Sequence, residues 1–226
     1  MKYNNPMNQQ VIEAMVRKMA ITPKDNLVEI GCGHGALLEH ISVGYDCKGI
    51  GIDIDEIGIK IAQKNLEAIN SRILLKCQRY SPDLFEEGTF THAACIGSSG
   101  AFGEGKKAFP AALCEIQKLL TDGGIALFGE LYWKSKPPLA YQKATGIEEK
   151  SIINFGELLK AIEKRKFQLL SLVRASEQDW DMFESNHLYN RVKAGKEMLA
   201  RKWFDSYLKW GRNCMGFALF LVRKQA

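Results

Sequence analysis

At 226 residues, 46% apolar and 25% charged, the chain has the balance of one compact globular domain rather than of a disordered or fibrous protein. No apolar run approaches the roughly 20 residues of a membrane span, and residues 1–6 lack the apolar stretch of a secretory signal. The six cysteines show neither Cys-x-x-Cys nor zinc-knuckle spacing, so they read as reduced thiols of a cytoplasmic protein without a metal site. The net charge of +5 is concentrated: residues 186–212 carry seven basic and two acidic side chains, which leaves the rest neutral. Such a segment is a solvated helical face or a patch that attracts an anionic substrate or nucleic acid.

In chain order, β-branched runs bounded by Gly, Asp or Asn predict strands at 27–30, 48–54, 73–77, 92–96 and 125–131, each followed by helical spacing. One helix is expected over 56–70, capped by Asp55, with Ile57, Ile61, Leu66 and Ile69 on one face. Another is expected over 107–120, with Pro110 near its first turn and Asp122-Gly123-Gly124 as its stop. Asn154 caps a helix through Lys166, and further strands are expected at 168–173 and 215–223. The alternation predicts a doubly wound, mostly parallel α/β sheet with its ligand edge at the carboxyl ends of the strands. The forty residues 175–214 between the last two strands are too long for a simple loop and rich in aromatics. They predict a helical lid inserted into a single domain spanning 1–226.

The most informative stretch is Glu29-Ile30-Gly31-Cys32-Gly33-His34-Gly35, a strand entering a glycine-rich turn and then a helix. Glycines on alternate positions let the backbone turn tightly and let a ligand approach, while the helix start supplies unpaired amides. Gly31, Gly33 and Ala36 satisfy the G-x-G-x-x-A form of the dinucleotide fingerprint, with Asp53 placed 22 residues after Gly31 as a ribose-binding acid. Glu29 separates the readings: a carboxylate there suits a cationic amino-acid head and repels a pyrophosphate.

On these residues, with Gly51-Ile52-Asp53-Ile54-Asp55, Ile96-Gly97-Ser98 and Leu119-Leu120-Thr121-Asp122-Gly123-Gly124, the sequence resembles the class I S-adenosylmethionine-dependent methyltransferases. Within them it is similar to a bacterial small-molecule branch marked by an early Asn-Pro pair, here Asn5-Pro6, and by Glu-x-Tyr-Trp after the fifth strand, here Glu130-Leu131-Tyr132-Trp133. The resemblance implies a seven-stranded Rossmann-like sheet with an antiparallel last strand. It also implies methyl transfer from S-adenosylmethionine, with S-adenosylhomocysteine as product, to a small-molecule acceptor. Gly31, Cys32, Gly33 and Gly35 would then surround the methionine part, Glu29 its ammonium, Asp53 the ribose and Ile54 the adenine. Gly97 and Ser98 would line the opposite wall, and Glu130 and Tyr132 would face the acceptor as catalytic groups.

Where the family places an acid after the third strand to accept the adenine amino group, this chain has Gln78-Arg79. An arginine cannot accept a hydrogen bond, so Gln78 or a backbone carbonyl takes that role, Arg79 stacks on the ring, or the site is weakened. His92 stands where the family often has Asp and reads as structural. An RNA acceptor served by residues 186–212 is the alternative reading, and a nicotinamide-dependent oxidoreductase is a third. The absence of an Asn/Asp-Pro-Pro-aromatic run at Gly97-Ser98-Ser99-Gly100 favours a small molecule over nucleic acid. No membrane partner is expected, and the sequence leaves the oligomeric state open.

Overall fold

The computed structural model describes residues 2–69 and 71–225; Met1, Asn70 and Ala226 lie outside the described residues, the last position of the helix expected over 56–70 among them. Seven strands, β1 (Asn26–Ile30), β2 (Lys48–Asp53), β3 (Ile73–Cys77), β4 (Phe90–Ile96), β5 (Leu120–Trp133), β6 (Phe167–Arg174) and β7 (Met215–Lys224), form one sheet. Their order is β3-β2-β1-β4-β5-β7-β6. The pairs β3·β2, β2·β1, β1·β4 and β4·β5 are parallel, and β7 runs antiparallel to both β5 and β6. The order reverses between β1 and β4, and that switch point opens a crevice at their carboxyl ends.

Nine α-helices are described: α1 (Gln9–Lys18), α2 (Ala36–Tyr45), α3 (Glu56–Ala68), α4 (Ala108–Leu119), α5 (Leu139–Thr145), α6 (Phe155–Lys164), α7 (Glu177–Lys193), α8 (Glu197–Ser206) and α9 (Arg212–Cys214). The sheet's two faces carry separate cores. Leu27, Ala94, Leu127 and Leu219 pack with residues of α1, α2 and α7, whereas Val28, Ala93, Phe128 and Phe220 pack with α4 and α6. Successive strand residues serve opposite cores because side chains alternate across a pleat.

Local chemistry sets several ends. Asn154 accepts the Glu157 N–H at 2.9 Å while Glu157 Oε2 accepts the Asn154 N–H at 2.9 Å, a reciprocal cap that stabilises the start of α6 by about 1 kcal/mol. Strand β5 begins earlier than the sequence indicates. Asp122-Gly123-Gly124 ends α4's neighbourhood without ending sheet pairing: Leu120 already pairs with Phe90, Gly123 bends the chain at φ +76°, and pairing resumes at Ile125 opposite His92.

Helix α3 corrects the expected face. Ile57 is 71% exposed and Ile61 41%, while Gly58, Ile59, Ala62 and Leu66 are buried. The inward stripe holds small residues because the helix must approach the glycine loop: a Cβ on Gly58 would lie 3.2 Å from the Gly33 carbonyl carbon and oxygen. Between β6 and β7 the chain forms α7, α8, a π-helical turn over Tyr207–Gly211, and α9. Asp181 joins the ends of this segment, accepting from Tyr207 Oη at 2.6 Å and from Arg212 Nη2 at 2.7 Å.

Candidate active site

At the end of β1 the chain turns on backbone bonds to β2: the Gly31 and Cys32 N–H groups both donate to the Ile52 carbonyl, at 2.7 and 3.1 Å. Gly31, Gly33 and Gly35 all have left-handed φ, at +78°, +50° and +73°. Their surroundings give each a different reason to be glycine. A Cβ at Gly31 would sit 2.1 Å from Ser98 Oγ, so its absence lets the loops after β1 and β4 touch across the switch point. A Cβ at Gly35 would sit 2.7 Å from that of Ala62, so its absence seats the start of α2 on α3. At Gly33 a Cβ would meet nothing within 4 Å. Only there is bare backbone presented to open space, where a ligand can lie directly against it.

That space is a cleft of about 480 Å³. Glu29, Gly31, Cys32, Gly33, Asp53, Gly97 and Ser98 line it, so the fold gathers seven of the residues singled out in the sequence. Glu29 is 95% buried, and its Oε2 is sealed from solvent without a hydrogen-bond partner among the described residues. Burial, with the Asp53 carboxylate adding to it, pushes the Glu29 carboxyl up to about 8. Asp53 stands at the end of β2, where Oδ2 accepts the Gly33 N–H at 2.7 Å and Oδ1 accepts the Asp55 N–H at 2.8 Å. Each carboxylate oxygen keeps a second lone pair free of these bonds.

Six other candidates do not line this cleft. Gly35 is packed beneath it. Ile54, 66% exposed, follows Asp53 at the outer end of β2, and Gln78 adjoins it, its N–H donating to the Asp53 carbonyl at 2.8 Å. Arg79 is exposed and makes no ion pair among the described residues. Glu130 and Tyr132 point to the other face of the sheet. Glu130 pairs with Ala218, whose side chain belongs to the α4–α6 core, and Tyr132 packs 4.9 Å from Phe155 in that core. Burial pushes the Glu130 carboxyl up to about 7 and leaves its Oε2 without a partner. On the cleft-side core, the end of β5 instead contributes Leu131 and Trp133. His92 is buried, with ring nitrogens 3.0 Å from the Met19 carbonyl and 2.9 Å from Thr91 Oγ1, which is a structural role.

The opposite wall holds residues of the chain start that no motif marks, and residues of the segment expected as a lid, whose His187 reads from sequence as a surface histidine that could also swing over the site. Lys2, Tyr3 and Asn4 come from the chain start, and His187 and Asn190 from α7. Burial, followed by the charge of Arg191, holds the His187 imidazole below its ordinary value, which favours its neutral form. The early Asn5-Pro6 pair was the one sequence signal near the chain start, and nothing marked Tyr3.

A family model described as a methyltransferase domain matches residues 27–124, the span from β1 through the bend in β5 that builds the glycine loop and both acid positions. Residues 27–124, somewhat less than half of the chain, therefore match a methyltransferase domain. Over 98% of its length it is 21% identical to the uncharacterized protein YjhP of Escherichia coli (strain K12), covering 93% of that protein. The X-ray structure of YjhP superposes with a TM-score of 0.80 at 20% identity, over 99% of this chain and 95% of that one. A S-adenosylmethionine-dependent methyltransferase from Thiobacillus denitrificans, solved with S-adenosyl-L-homocysteine, superposes with a TM-score of 0.78 at 19% identity, over 99% and 94% of the two chains. These likenesses establish the seven-stranded methyltransferase fold. Among the described residues no helix is long and apolar enough to cross a membrane.

The cleft fits S-adenosylmethionine, the donor that the sequence resemblance implies. An orphaned buried carboxyl group can ionise beside a cation, bare backbone at Gly33 awaits close approach, and the end of β2 offers an acid and an exposed isoleucine. Because Arg79 lies outside the cleft, Arg79→Asp should keep or improve S-adenosylhomocysteine affinity by calorimetry. Loss of binding by a folded variant would mean that Arg79 makes an essential contact.

Proposed function

We propose that the protein is an enzyme that transfers a methyl group from S-adenosylmethionine to a small-molecule acceptor held between the glycine loop and α7. The observation that carries this reading is the wall of His187 and Asn190, which turns the switch-point crevice into a bounded cleft of about 480 Å³. A cleft of that size matches a cofactor with a small partner.

When bound, S-adenosylmethionine supplies a methyl group already activated by its sulfonium, ready for in-line displacement by the acceptor. The protein's work is then alignment and exclusion of water. In this reading Glu29 pairs with the ammonium of the donor, and the loop from Gly31 to Gly35 lies along its amino-acid part. Asp53, held rigid by Gly33 and Asp55, turns its free lone pairs to the ribose hydroxyls, with Ile54 against the adenine. Gln78, adjoining Asp53, is the nearby acceptor for the adenine amino group. Gly97 and Ser98 close the side nearest β4. Glu130 and Tyr132, on the other face of the sheet, receive no role at the acceptor. The neutral imidazole of His187 is the group that can take a proton there, and Asn190 beside it can orient the acceptor.

Calorimetry with S-adenosylhomocysteine and NAD tests the cofactor part: micromolar binding of the first is expected, and binding of NAD alone would overturn it. For the acceptor part, His187→Ala should leave S-adenosylhomocysteine affinity within a few-fold while lowering turnover by about 10²-fold or more once an acceptor is in hand. The RNA reading would instead show RNA binding that falls steeply with salt and is lost when the exposed Lys193, Lys196 and Lys202 become Ala.

A further inference from the structure

The start of the chain forms a strap across the glycine loop. Asn5 and Pro6 are buried, Asn5 Oδ1 accepts the Met7 N–H at 3.0 Å, and Asn8 caps α1 by accepting the Gln10 N–H at 2.8 Å. Two anchors, a side-chain turn and a helix cap, thus set its course. It lies between the glycine loop on one side and α7 on the other, where Asp179, Met182 and Phe183 share a second cavity of about 200 Å³ with residues 2, 3 and 5–9. The strap brings Lys2, Tyr3, Asn4 and Asn5 to the same cleft as Glu29 and Gly33.

Tyr3 is 92% buried, yet its hydroxyl is sealed from solvent and has no hydrogen-bond partner among the described residues. Glu29 shares both properties. Buried polar groups are almost always paired, so two unpaired ones on one cleft form an incomplete set of hydrogen bonds that a ligand can complete. Their chemistry is complementary, one a carboxyl that ionises beside a ligand cation and the other a hydroxyl donor. Burial and the carboxylates of Glu13, Glu29 and Glu39 hold the Tyr3 hydroxyl well above the usual phenol range, so it remains a donor. Lys2, 3.6 Å from Glu39, adds positive charge beside it. Facing the acid Glu29, the strap therefore presents a hydroxyl, an ammonium and side-chain amides, which is a set of donors suited to a carboxylate.

We propose that the strap recognises the carboxylate of the cofactor's amino-acid end, with the Tyr3 hydroxyl as its donor, while Glu29 takes the ammonium. This assigns a binding role to Tyr3 and rests on the cleft being the cofactor site. The two groups together read the zwitterion, so the enzyme discriminates between ligands by their amino-acid end as well as by adenosine.

Calorimetry on the full chain with three ligands tests this. S-adenosylhomocysteine carries ammonium and carboxylate, its decarboxylated analogue carries the ammonium alone, and 5′-methylthioadenosine carries neither. Tyr3→Phe keeps the packed ring and should weaken S-adenosylhomocysteine about tenfold or more while leaving the other two within about twofold. Glu29→Gln should weaken the first two ligands and spare the third. An equal change of all three ligands in Tyr3→Phe, or no change in any at an unaltered melting temperature, would overturn the role of Tyr3. An equal loss for the two amine-bearing ligands would place Tyr3 on the ammonium and overturn the carboxylate assignment. Failure of the unsubstituted protein to bind any of the three would instead overturn the cofactor reading, and this inference with it.

Discussion

Glu29→Gln is expected to weaken S-adenosylhomocysteine binding about 10- to 100-fold, the loss of a charge-assisted hydrogen bond of roughly 1.5–3 kcal/mol, and to stabilise the unliganded protein above pH 8. Both effects come from one buried carboxyl held up to about 8 against an ordinary value of 4.5. In the unfolded chain this group loses its proton near 4.5, whereas in the folded chain it keeps it until about 8. The unfolded state therefore binds fewer protons through that window, and Glu29's contribution to stability, full at low pH, falls as pH rises toward 8. The glutamine variant lacks this slope, which unfolding by denaturant at several pH values would measure.

The same group couples cofactor binding to pH. A ligand ammonium favours the ionised carboxylate, so binding at about pH 6–7, where an α-amino group is still charged, should release up to about one proton and tighten as pH rises. Titration calorimetry in two buffers of different ionisation enthalpy reads the proton directly. No proton release, together with unchanged affinity in Glu29→Gln, would remove Glu29 from the cofactor site.

The second large effect is on the folding of the segment that walls the cleft. Trp180 is 96% buried, stacks at 6.3 Å on Tyr207 and meets Phe183 edge-on at 6.0 Å. Trp180→Ala should cost about 3–5 kcal/mol, and at about 2–4 °C per kcal/mol the melting temperature should fall by roughly 10 °C. Tyr189, nine positions along the same helix, is 60% exposed, and its replacement by Ala should change stability by no more than about 0.5 kcal/mol. Thermal unfolding of the two variants decides between them; a Trp180→Ala protein as stable as the Tyr189→Ala one would mean that the aromatic cluster does not hold α7 to the sheet. For the same reason Trp180 is a poor probe of capping function, and His187 a better one.

How far the sequence discloses this molecule depends on the range of the interactions involved. The reciprocal cap at Asn154 and Glu157, the cap of α3 by Asp55, and the glycine loop are all readable, since each is decided by a few adjacent residues. The doubly wound, mostly parallel character of the sheet follows from the alternation of patterns, because few topologies bury both faces of such a sheet. That Glu29 and Asp53 would meet was also legible, since parallel strands aligned in register bring their carboxyl ends together.

Other features answer to contacts that no local pattern contains. The buried face of α3 runs through Gly58, Ile59 and Ala62, not Ile57 and Ile61, because the requirement there is close approach to Gly33 and Gly35 rather than apolar volume. Glu130 and Tyr132 lie at the expected end of β5, yet the register with β7 sends them to the face away from the glycine loop. Tyr3 and His187 reach the cleft from the chain start and from α7, nearly 185 residues apart, with no shared motif. Sequence alone determined the fold class, the glycine loop and its acids, because backbone conformation and charge are properties of short segments. Tertiary structure alone decided which side chains face the cleft, because facing depends on packing between elements distant in the chain.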